Sequence, residues 1–160
     1  MTATGTRTVY VNGTYLPEDQ ATISIFDRGF IFADGIYEVS AVLGGKLVDC
    51  EAHLGRLARS CNEIQLSLPW STAELVDIHN ELIRRNNLVE GGIYLQVTRG
   101  AADRDFGFPA DAKPSLVMFT QARKIDDNPL ARTGAKVVSC EDIRWGRRDI
   151  KTVQLLYPSM

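Results

Sequence analysis

Hydrophobic and polar residues alternate along several short stretches of the chain, and this period of two is typical of half-buried β-strands. The clearest stretch is 36–43, where alternation would separate the two faces of a strand. One face would carry Tyr37, Val39, Ala41 and Leu43, and the other Ile36, Glu38, Ser40 and Val42. Further strands are predicted over 8–11, 14–16, 23–26, 46–48, 93–99, 115–121 and 135–139. Asn12-Gly13 and Gly44-Gly45 are typical of hairpin turns, so antiparallel neighbours are expected.

Two stretches show the period of 3.6 that is typical of amphipathic helices. The first covers about 51–65, with Asp49 as its predicted N-terminal cap, and the second covers about 72–87. Ser71 and Glu74 have the spacing of a capping box at the start of the second helix. The predicted apolar stripes are Leu54, Leu57, Ala58, Cys61 and Ile64 in the first helix, and Leu75, Ile78, Leu82 and Ile83 in the second.

The order of these elements predicts an α/β protein that begins with a small α+β domain. Residues 1–122 would form this N-terminal domain, with a mixed or antiparallel sheet and two helices. Residues 123–134 are polar, contain Asn-Pro and lack apolar periodicity, which is typical of an interdomain linker. Residues 135–160 cannot bury a core of their own, so we interpret them as the beginning of a larger, β-rich domain that is incomplete here.

Composition narrows the class of protein. The 160 residues are 44% hydrophobic and 24% charged, and 18 Lys and Arg against 20 Asp and Glu give a formal charge of −2. This balance is typical of a soluble globular protein and does not favour a nucleic-acid partner. The longest apolar runs are far shorter than the roughly twenty residues of a membrane helix, so no membrane association is predicted. Three scattered cysteines do not suggest a secreted disulfide framework, which favours a cytoplasmic location.

Three features carry candidate chemistry: a basic segment, an arginine on the first helix and a long loop. Residues 144–151 are basic and end in Lys151, and nearby cations would make its amine more available as a nucleophile. The same segment is also typical of a solvated face or an anion site. On the first helix, Arg56 lies on the polar side with His53 and Ser60, where a guanidinium could bind phosphate oxygens in a bidentate way. An ordinary solvent-exposed arginine fits that position too.

A long loop over 99–109 contains two arginines and two phenylalanines. The arginines could clamp a carboxylate while the phenylalanines exclude water, or the segment could be a surface loop with aromatic anchors. Cys50, His53 and Cys61 are residue types that bind metals. Because helical spacing places Cys61 on the apolar stripe, a buried thiol is favoured and no metal site is predicted.

Five separated motifs occur together in a fixed order. They are 27–30 (DRGF), 34–39 (DGIYEV), 53–57 (HLGRL), 94–100 (YLQVTRG) and 141–151 (EDIRWGRRDIK). In this combination the chain resembles the fold-type IV pyridoxal-phosphate enzymes, most closely their D-amino acid aminotransferase branch. The resemblance covers nearly the whole chain and implies the fold of that family, with pyridoxal 5′-phosphate as cofactor.

The resemblance also implies residue roles. Lys151 matches the lysine that forms a Schiff base with the cofactor and moves the proton of the substrate α-carbon. Arg56 matches the arginine that binds the cofactor phosphate. Tyr37 matches a residue that helps to bind the substrate carboxylate, and Val39 matches a residue that lines the same pocket. Arg104 matches a carboxylate-binding arginine that is contributed across a homodimer interface.

The implied activity is transamination of D-amino acids with a 2-oxo acid as acceptor. Phe106 departs from the pattern, because the D-amino acid enzymes have a histidine at this position. The alternatives on the same fold are an (R)-selective amine transaminase, a branched-chain aminotransferase and an aminodeoxychorismate lyase. A non-enzymatic alternative is an inactive fragment that binds phosphate ligands or a partner chain. Because members of the family extend well beyond this length, we expect the 160-residue chain alone to be poorly active.

Overall fold

Six strands form one antiparallel sheet in the computed structural model, which describes residues 6–142 and 145–159. The strands are β1 (Thr8–Val11), β2 (Thr14–Pro17), β3 (Gly35–Leu43), β4 (Lys46–Val48), β5 (Gly91–Thr98) and β6 (Ser115–Ala122). Their order in the sheet is β2-β1-β6-β5-β3-β4, and every neighbouring pair is antiparallel. The antiparallel arrangement expected from the hairpin turns is therefore confirmed.

The two predicted turns join adjacent strands as expected. Asn12 and Gly13 have φ values of 47° and 98° between β1 and β2, and Gly44 and Gly45 have φ values of 56° and 73° between β3 and β4. These left-handed conformations favour glycine and asparagine and match the twist of the strands that they connect.

The helices are α1 (Arg28–Phe32), α2 (Cys50–Glu63), α3 (Thr72–Arg85), α4 (Pro129–Thr133) and α5 (Leu156–Ser159), with a 3₁₀ turn at Glu18–Gln20. The long helices α2 and α3 are the two predicted from periodicity. The capping box of α3 is confirmed, because the Glu74 amide donates to Ser71 Oγ at 3.2 Å and the Ser71 amide donates to Glu74 Oε2 at 2.7 Å. The predicted side-chain cap by Asp49 is wrong: this residue has a left-handed conformation and its side chain makes no capping hydrogen bond.

One face of the sheet packs against α2 and α3 and forms the core. Its fully buried members include Ile36, Val42, Leu57, Leu82, Ile93, Leu95, Leu116 and Met118. The stripe predicted for α2 needs one correction, since Ala58 is exposed and Ser60 is buried. The buried arc of α2 is centred on Leu57, and at about 100° per residue Ser60 lies only about 60° from that centre whereas Ala58 lies about 100° away.

Two predicted strands are wrong. Residues 23–26 lead into α1 through a turn, because the Asp27 side chain accepts a hydrogen bond from the Gly29 amide at 2.8 Å and caps that helix. Residues 135–139 form no strand, and Val137 and Val138 are almost fully exposed because nothing in the described chain pairs with them. No helix in the described residues combines the length and apolarity that crossing a membrane requires.

Candidate active site

Lys151 lies beside the first residues of β3. The Tyr37 amide donates to the Lys151 carbonyl oxygen at 3.1 Å, the Val153 amide donates to the Gly35 carbonyl oxygen at 3.1 Å, and an antiparallel bridge joins Ile36 to Thr152. β5 pairs with the opposite edge of these β3 residues, and β4 begins to pair with β3 only at Ala41. The segment 151–153 therefore occupies an edge of β3 that the sheet leaves open.

The Lys151 side chain lies over the face of the Tyr37 ring, with Nζ 4.0 Å from the ring centroid. Both residues line a cavity of about 480 Å³, together with Ala33, Trp145, Arg148 and residues from the stretch 150–156. A cavity of this size is typical of small-molecule sites. The arrangement presents a primary amine to the cavity, over the face of an aromatic ring.

Carboxylates pair with the arginines of the basic segment. Arg147 donates to Glu63 at 2.8 Å and to Asp149 at 3.0 Å, and these hydrogen bonds raise the pKa of Arg147, with Asp149 as the larger cause. Arg148 forms an ion pair with Asp142 at 3.1 Å. Arg147 and Arg148 are therefore each paired with a carboxylate, so these two arginines do not add uncompensated positive charge beside Lys151. Arg144, which opens the predicted basic segment, lies outside the described residues.

Asp149 and Arg147 also connect this segment to α2. Arg59 donates to the Asp149 carbonyl oxygen at 2.5 Å, and Glu63 accepts from Arg147. Two side chains of one helix thus hold the chain immediately before Lys151.

Arg56 is anchored to a buried carboxylate. Its Nε and Nη2 atoms donate to Glu38 Oε1 and Oε2, each at 2.6 Å, and His53 Nδ1 lies 2.9 Å from Glu38 Oε2. The hydrogen bonds to Glu38 raise the pKa of Arg56. The Glu38 side chain is fully buried, while the Arg56 side chain is 43% exposed. Ser60, which was expected beside Arg56, instead faces the core.

Tyr37 and Glu38 are consecutive on β3 and point to opposite faces of the sheet. Glu38 faces α2, whereas Tyr37 begins an aromatic row on the other face. Its ring stacks on Tyr94 with centroids 5.6 Å apart, and Tyr94 stacks on Phe119 at 4.9 Å. Burial raises the pKa of Tyr94 to about 12, so its hydroxyl stays protonated and donates to Gln96 Oε1 at 2.7 Å. Val39 lies on the same side as Tyr37, partly exposed, and does not line the Lys151 cavity.

Arg104 lies in the long loop between β5 and β6. Its guanidinium carbon is 5.3 Å from the centroid of Phe32 and 5.4 Å from that of Phe106. Arg104 is exposed and is absent from the residues that line the cavity within the described chain. One chain therefore brings Lys151 and Tyr37 together at the cavity, whereas Arg104 does not line it within the described residues.

The other loop arginine, Arg99, has a structural role, as does Arg28. Both donate through Nε to Asp34 Oδ2 at 2.8 Å, and both are buried. Arg28 also donates to the Asp105 carbonyl oxygen at 2.7 Å. Arg99 donates to the carbonyl oxygens of Ile64 and Gln65, so neither guanidinium is available for a substrate carboxylate. Sequence reasoning missed Asp34 and Glu38 as partners of these arginines and of Arg56, although each acid stands within a motif quoted above.

Comparison with known proteins decides the family. Residues 35–158 match the family model for amino-transferase class IV. The chain belongs to this family. It is 42% identical to D-alanine aminotransferase of Staphylococcus haemolyticus over 151 residues, which are 92% of this chain and 52% of that protein. The chain thus spans about half the length of the curated relatives that it matches.

Solved structures of class IV enzymes share the fold. The branched-chain amino acid aminotransferase of Escherichia coli superposes with a TM-score of 0.72 at 16% identity, covering 79% of this chain and 43% of that one. A second branched-chain amino acid aminotransferase, solved with pyridoxamine 5′-phosphate, gives a TM-score of 0.71 at 15% identity, with coverages of 78% and 42%. The expected fold-type IV architecture is therefore confirmed.

Proposed function

We propose that the protein to which this chain belongs is a pyridoxal-phosphate-dependent aminotransferase that transfers the amino group of D-amino acids to a 2-oxo acid. The observation that carries this proposal is the position of Lys151, whose amine is fixed over Tyr37 at a cavity of about 480 Å³. The similarity to D-alanine aminotransferases at 42% identity supports the choice of substrate class.

The residues present fit the cofactor in two respects. A primary amine faces the cavity. The half-exposed Arg56 guanidinium, which does not line that cavity within the described residues, is held in one orientation by a fully buried carboxylate. When bound, pyridoxal phosphate supplies an aldehyde carbon for an amine and an electron-withdrawing ring next to the substrate α-carbon. Lys151 Nζ would bind the cofactor covalently and would accept and return the α-proton of the substrate. Arg56 would bind the cofactor phosphate.

Tyr37, Val39 and Arg104 would bind the substrate. Tyr37 lies against Lys151, and Val39 follows it on the same face of β3. Arg104 is exposed and does not line the cavity of its own chain within the described residues. In line with the family resemblance, we propose a homodimer in which each subunit supplies this arginine to its partner. We further propose a small domain over 1–122, a linker over 123–134 and the start of the large domain over 135–160. We also propose a cytoplasmic location, because the three cysteines are free and the cytoplasm keeps thiols reduced.

Trapping of the cofactor tests the proposal. The chain, and the full-length polypeptide that contains it, are incubated with pyridoxal phosphate, reduced with borohydride and mapped by peptide mass. We expect one major adduct, at Lys151, and its loss in Lys151→Ala but not in Lys136→Ala. Transfer from D-alanine to 2-oxoglutarate should accompany the adduct in the full-length protein and be weak in the 160-residue chain. Adducts scattered over many lysines would exclude the assigned role of Lys151.

A second candidate is an (R)-selective amine transaminase, and Phe106 favours it. This side chain is 78% exposed and lies 5.8 Å from the Phe32 ring, so it offers an apolar surface where a donor to a carboxylate is expected. Comparing D-alanine with (R)-1-phenylethylamine as amino donor separates the two functions. A kcat/KM that is higher for D-alanine supports the amino acid enzyme, and the reverse supports the amine enzyme.

A further inference from the structure

Glu38 is a charged residue in an apolar position. It lies on the helix-facing side of β3, between Ile36 and Ser40, and its side chain has no exposed surface. A carboxylate in such surroundings is tolerated only when it is paired and hydrogen-bonded, because desolvation strongly disfavours its charge. The side chains that pair with Glu38 therefore indicate the role of this buried carboxylate.

Both partners belong to α2 and lie three positions apart. Arg56 approaches with Nε and Nη2, which bond to different oxygens of the carboxylate at 2.6 Å each. His53 Nδ1 approaches Oε2 at 2.9 Å. Two parallel N–H···O bonds fix the plane of a guanidinium, which a single bond does not. Nε and Nη2 are the only Arg56 atoms with hydrogen bonds to Glu38, and the Arg56 side chain remains 43% exposed.

We propose that Glu38 is a positioning residue for Arg56: it orients the guanidinium so that the outward N–H groups meet the cofactor phosphate without losing rotational freedom on binding. The inference rests on the proposed function, in which Arg56 binds that phosphate. Arginine has five N–H donors in one plane, and a partner on one edge leaves the other edge for a second anion. Immobilising such a side chain in advance favours ligand affinity.

Charge and orientation predict opposite effects, which makes the inference testable. If Glu38 acted only through charge, it would weaken phosphate binding by neutralising Arg56, and Glu38→Gln would bind phosphate more tightly. If it acts through orientation, Glu38→Gln should bind less tightly. A glutamine offers an N–H group where one of the Arg56 donors now finds an oxygen, so the guanidinium must turn away.

The experiment uses two probes that form no covalent bond to Lys151. Pyridoxine 5′-phosphate and pyridoxine differ only in the phosphate and carry an alcohol in place of the aldehyde. Their dissociation constants are measured by calorimetry for the parent protein and for Glu38→Gln, Arg56→Ala and the double variant. Glu51→Gln, which removes an exposed carboxylate from the same helix, is the matched control.

We expect Glu38→Gln to raise the dissociation constant of pyridoxine 5′-phosphate about tenfold, because one charge-assisted hydrogen bond is lost. The dissociation constant of pyridoxine should change less than about twofold. Arg56→Ala should abolish the preference for the phosphorylated probe, and the double variant should match Arg56→Ala alone. Glu51→Gln should leave both constants unchanged. An equal loss for both probes in Glu38→Gln would indicate a merely structural residue and overturn the inference.

The remaining outcomes separate this inference from the proposed function. If the parent protein does not prefer the phosphorylated probe, or if Arg56→Ala keeps the preference, Arg56 does not bind the phosphate. The proposed role of Glu38 is then overturned as well. If Arg56→Ala loses the preference and Glu38→Gln keeps it, only the role of Glu38 is overturned. Should Glu38→Gln not fold, Glu38→Asp tests the same point: it retains the charge and leaves Arg56 intact, but its shorter side chain cannot keep both hydrogen bonds from Arg56, and we expect a similar loss of preference.

Discussion

The ammonium group of Lys151 lies 4.0 Å from the centre of the Tyr37 ring, and the same two residues share a backbone hydrogen bond from the Tyr37 amide to the Lys151 carbonyl oxygen. Residues so far apart in the sequence do not meet through local structure. The contact arises because the segment 151–153 pairs with the open edge of β3. The strand that carries a substrate-binding candidate thus also fixes the proposed catalytic lysine.

The Tyr37 ring should restrain the Lys151 side chain toward the cavity. In Tyr37→Ala the ring face is lost, and we expect the yield of the reduced pyridoxal phosphate adduct at Lys151 to fall about two- to fivefold. Tyr37→Phe keeps the ring face and should retain most of the yield. Peptide mapping after borohydride reduction measures both. Equal yields in Tyr37→Ala and the parent protein would show that the ring does not orient the amine.

The sequence pattern predicted local elements well because their causes are local. Alternation along 36–43 placed Ile36 and Glu38 on one face, and the spacing of Ser71 and Glu74 predicted the capping box. The site depends on pairs that are distant in sequence. Glu38 and Arg56 are 18 positions apart, and Asp34 and Arg99 are 65 apart. No period or spacing rule connects such residues, so their pairing required the folded chain, whereas the family resemblance suggested Lys151 and Arg56 directly.

Asp34 holds two buried arginines and through them the loop that carries Arg104. Asp34→Asn removes the charge that compensates Arg28 and Arg99, so we expect the free energy of unfolding to fall by about 3 kcal/mol. Denaturant unfolding of the chain measures the change. Glu81→Gln is the matched control, because Glu81 also pairs with two arginines, Arg84 and Arg85, but at the surface.

The control should lose little stability, since exposed ion pairs are screened by water and salt. A similar loss in Asp34→Asn and Glu81→Gln would contradict the structural role assigned to Asp34. Because Arg28 donates to the carbonyl oxygens of Asp105 and Gly107, Asp34→Asn should also increase proteolytic cleavage within the loop over 100–114.

The capping box at the start of α3 should contribute measurably to the stability of the chain. Ser71→Ala removes the side-chain acceptor of the Glu74 amide, and we expect it to lower the free energy of unfolding by about 1 kcal/mol. Ser67→Ala, at an exposed position shortly before the helix, is the control and should have almost no effect. The hydrogen bonds from Ser71 also lower the pKa of Glu74, so in Ser71→Ala this pKa should rise toward its usual value, as NMR titration would detect.

His79 should make the stability of the chain depend on pH. It is fully buried on α3, where Nδ1 lies 2.7 Å from the Leu75 carbonyl oxygen and Nε2 has no hydrogen-bond partner among the described residues. Burial lowers the pKa of His79 below 6.5. Between the lowered value and 6.5 the unfolded chain binds more protons than the folded chain, so the free energy of unfolding should decrease as the pH falls through this range.

His79→Leu tests this dependence by replacing the imidazole with an apolar side chain. The Leu75 carbonyl lies inside α3 and keeps its helical hydrogen bond, so the variant should cost little stability at about pH 7.5. Denaturant unfolding at about pH 7.5, 6.5 and 5.5 should show a smaller decrease for His79→Leu than for the parent chain. His53→Gln, which alters the other histidine, is the control and should retain the part of the pH-dependent decrease in the free energy of unfolding that is due to His79. If His79→Leu retains the full decrease, the pH dependence belongs to other groups, because the buried imidazole is the titrating group that this variant removes.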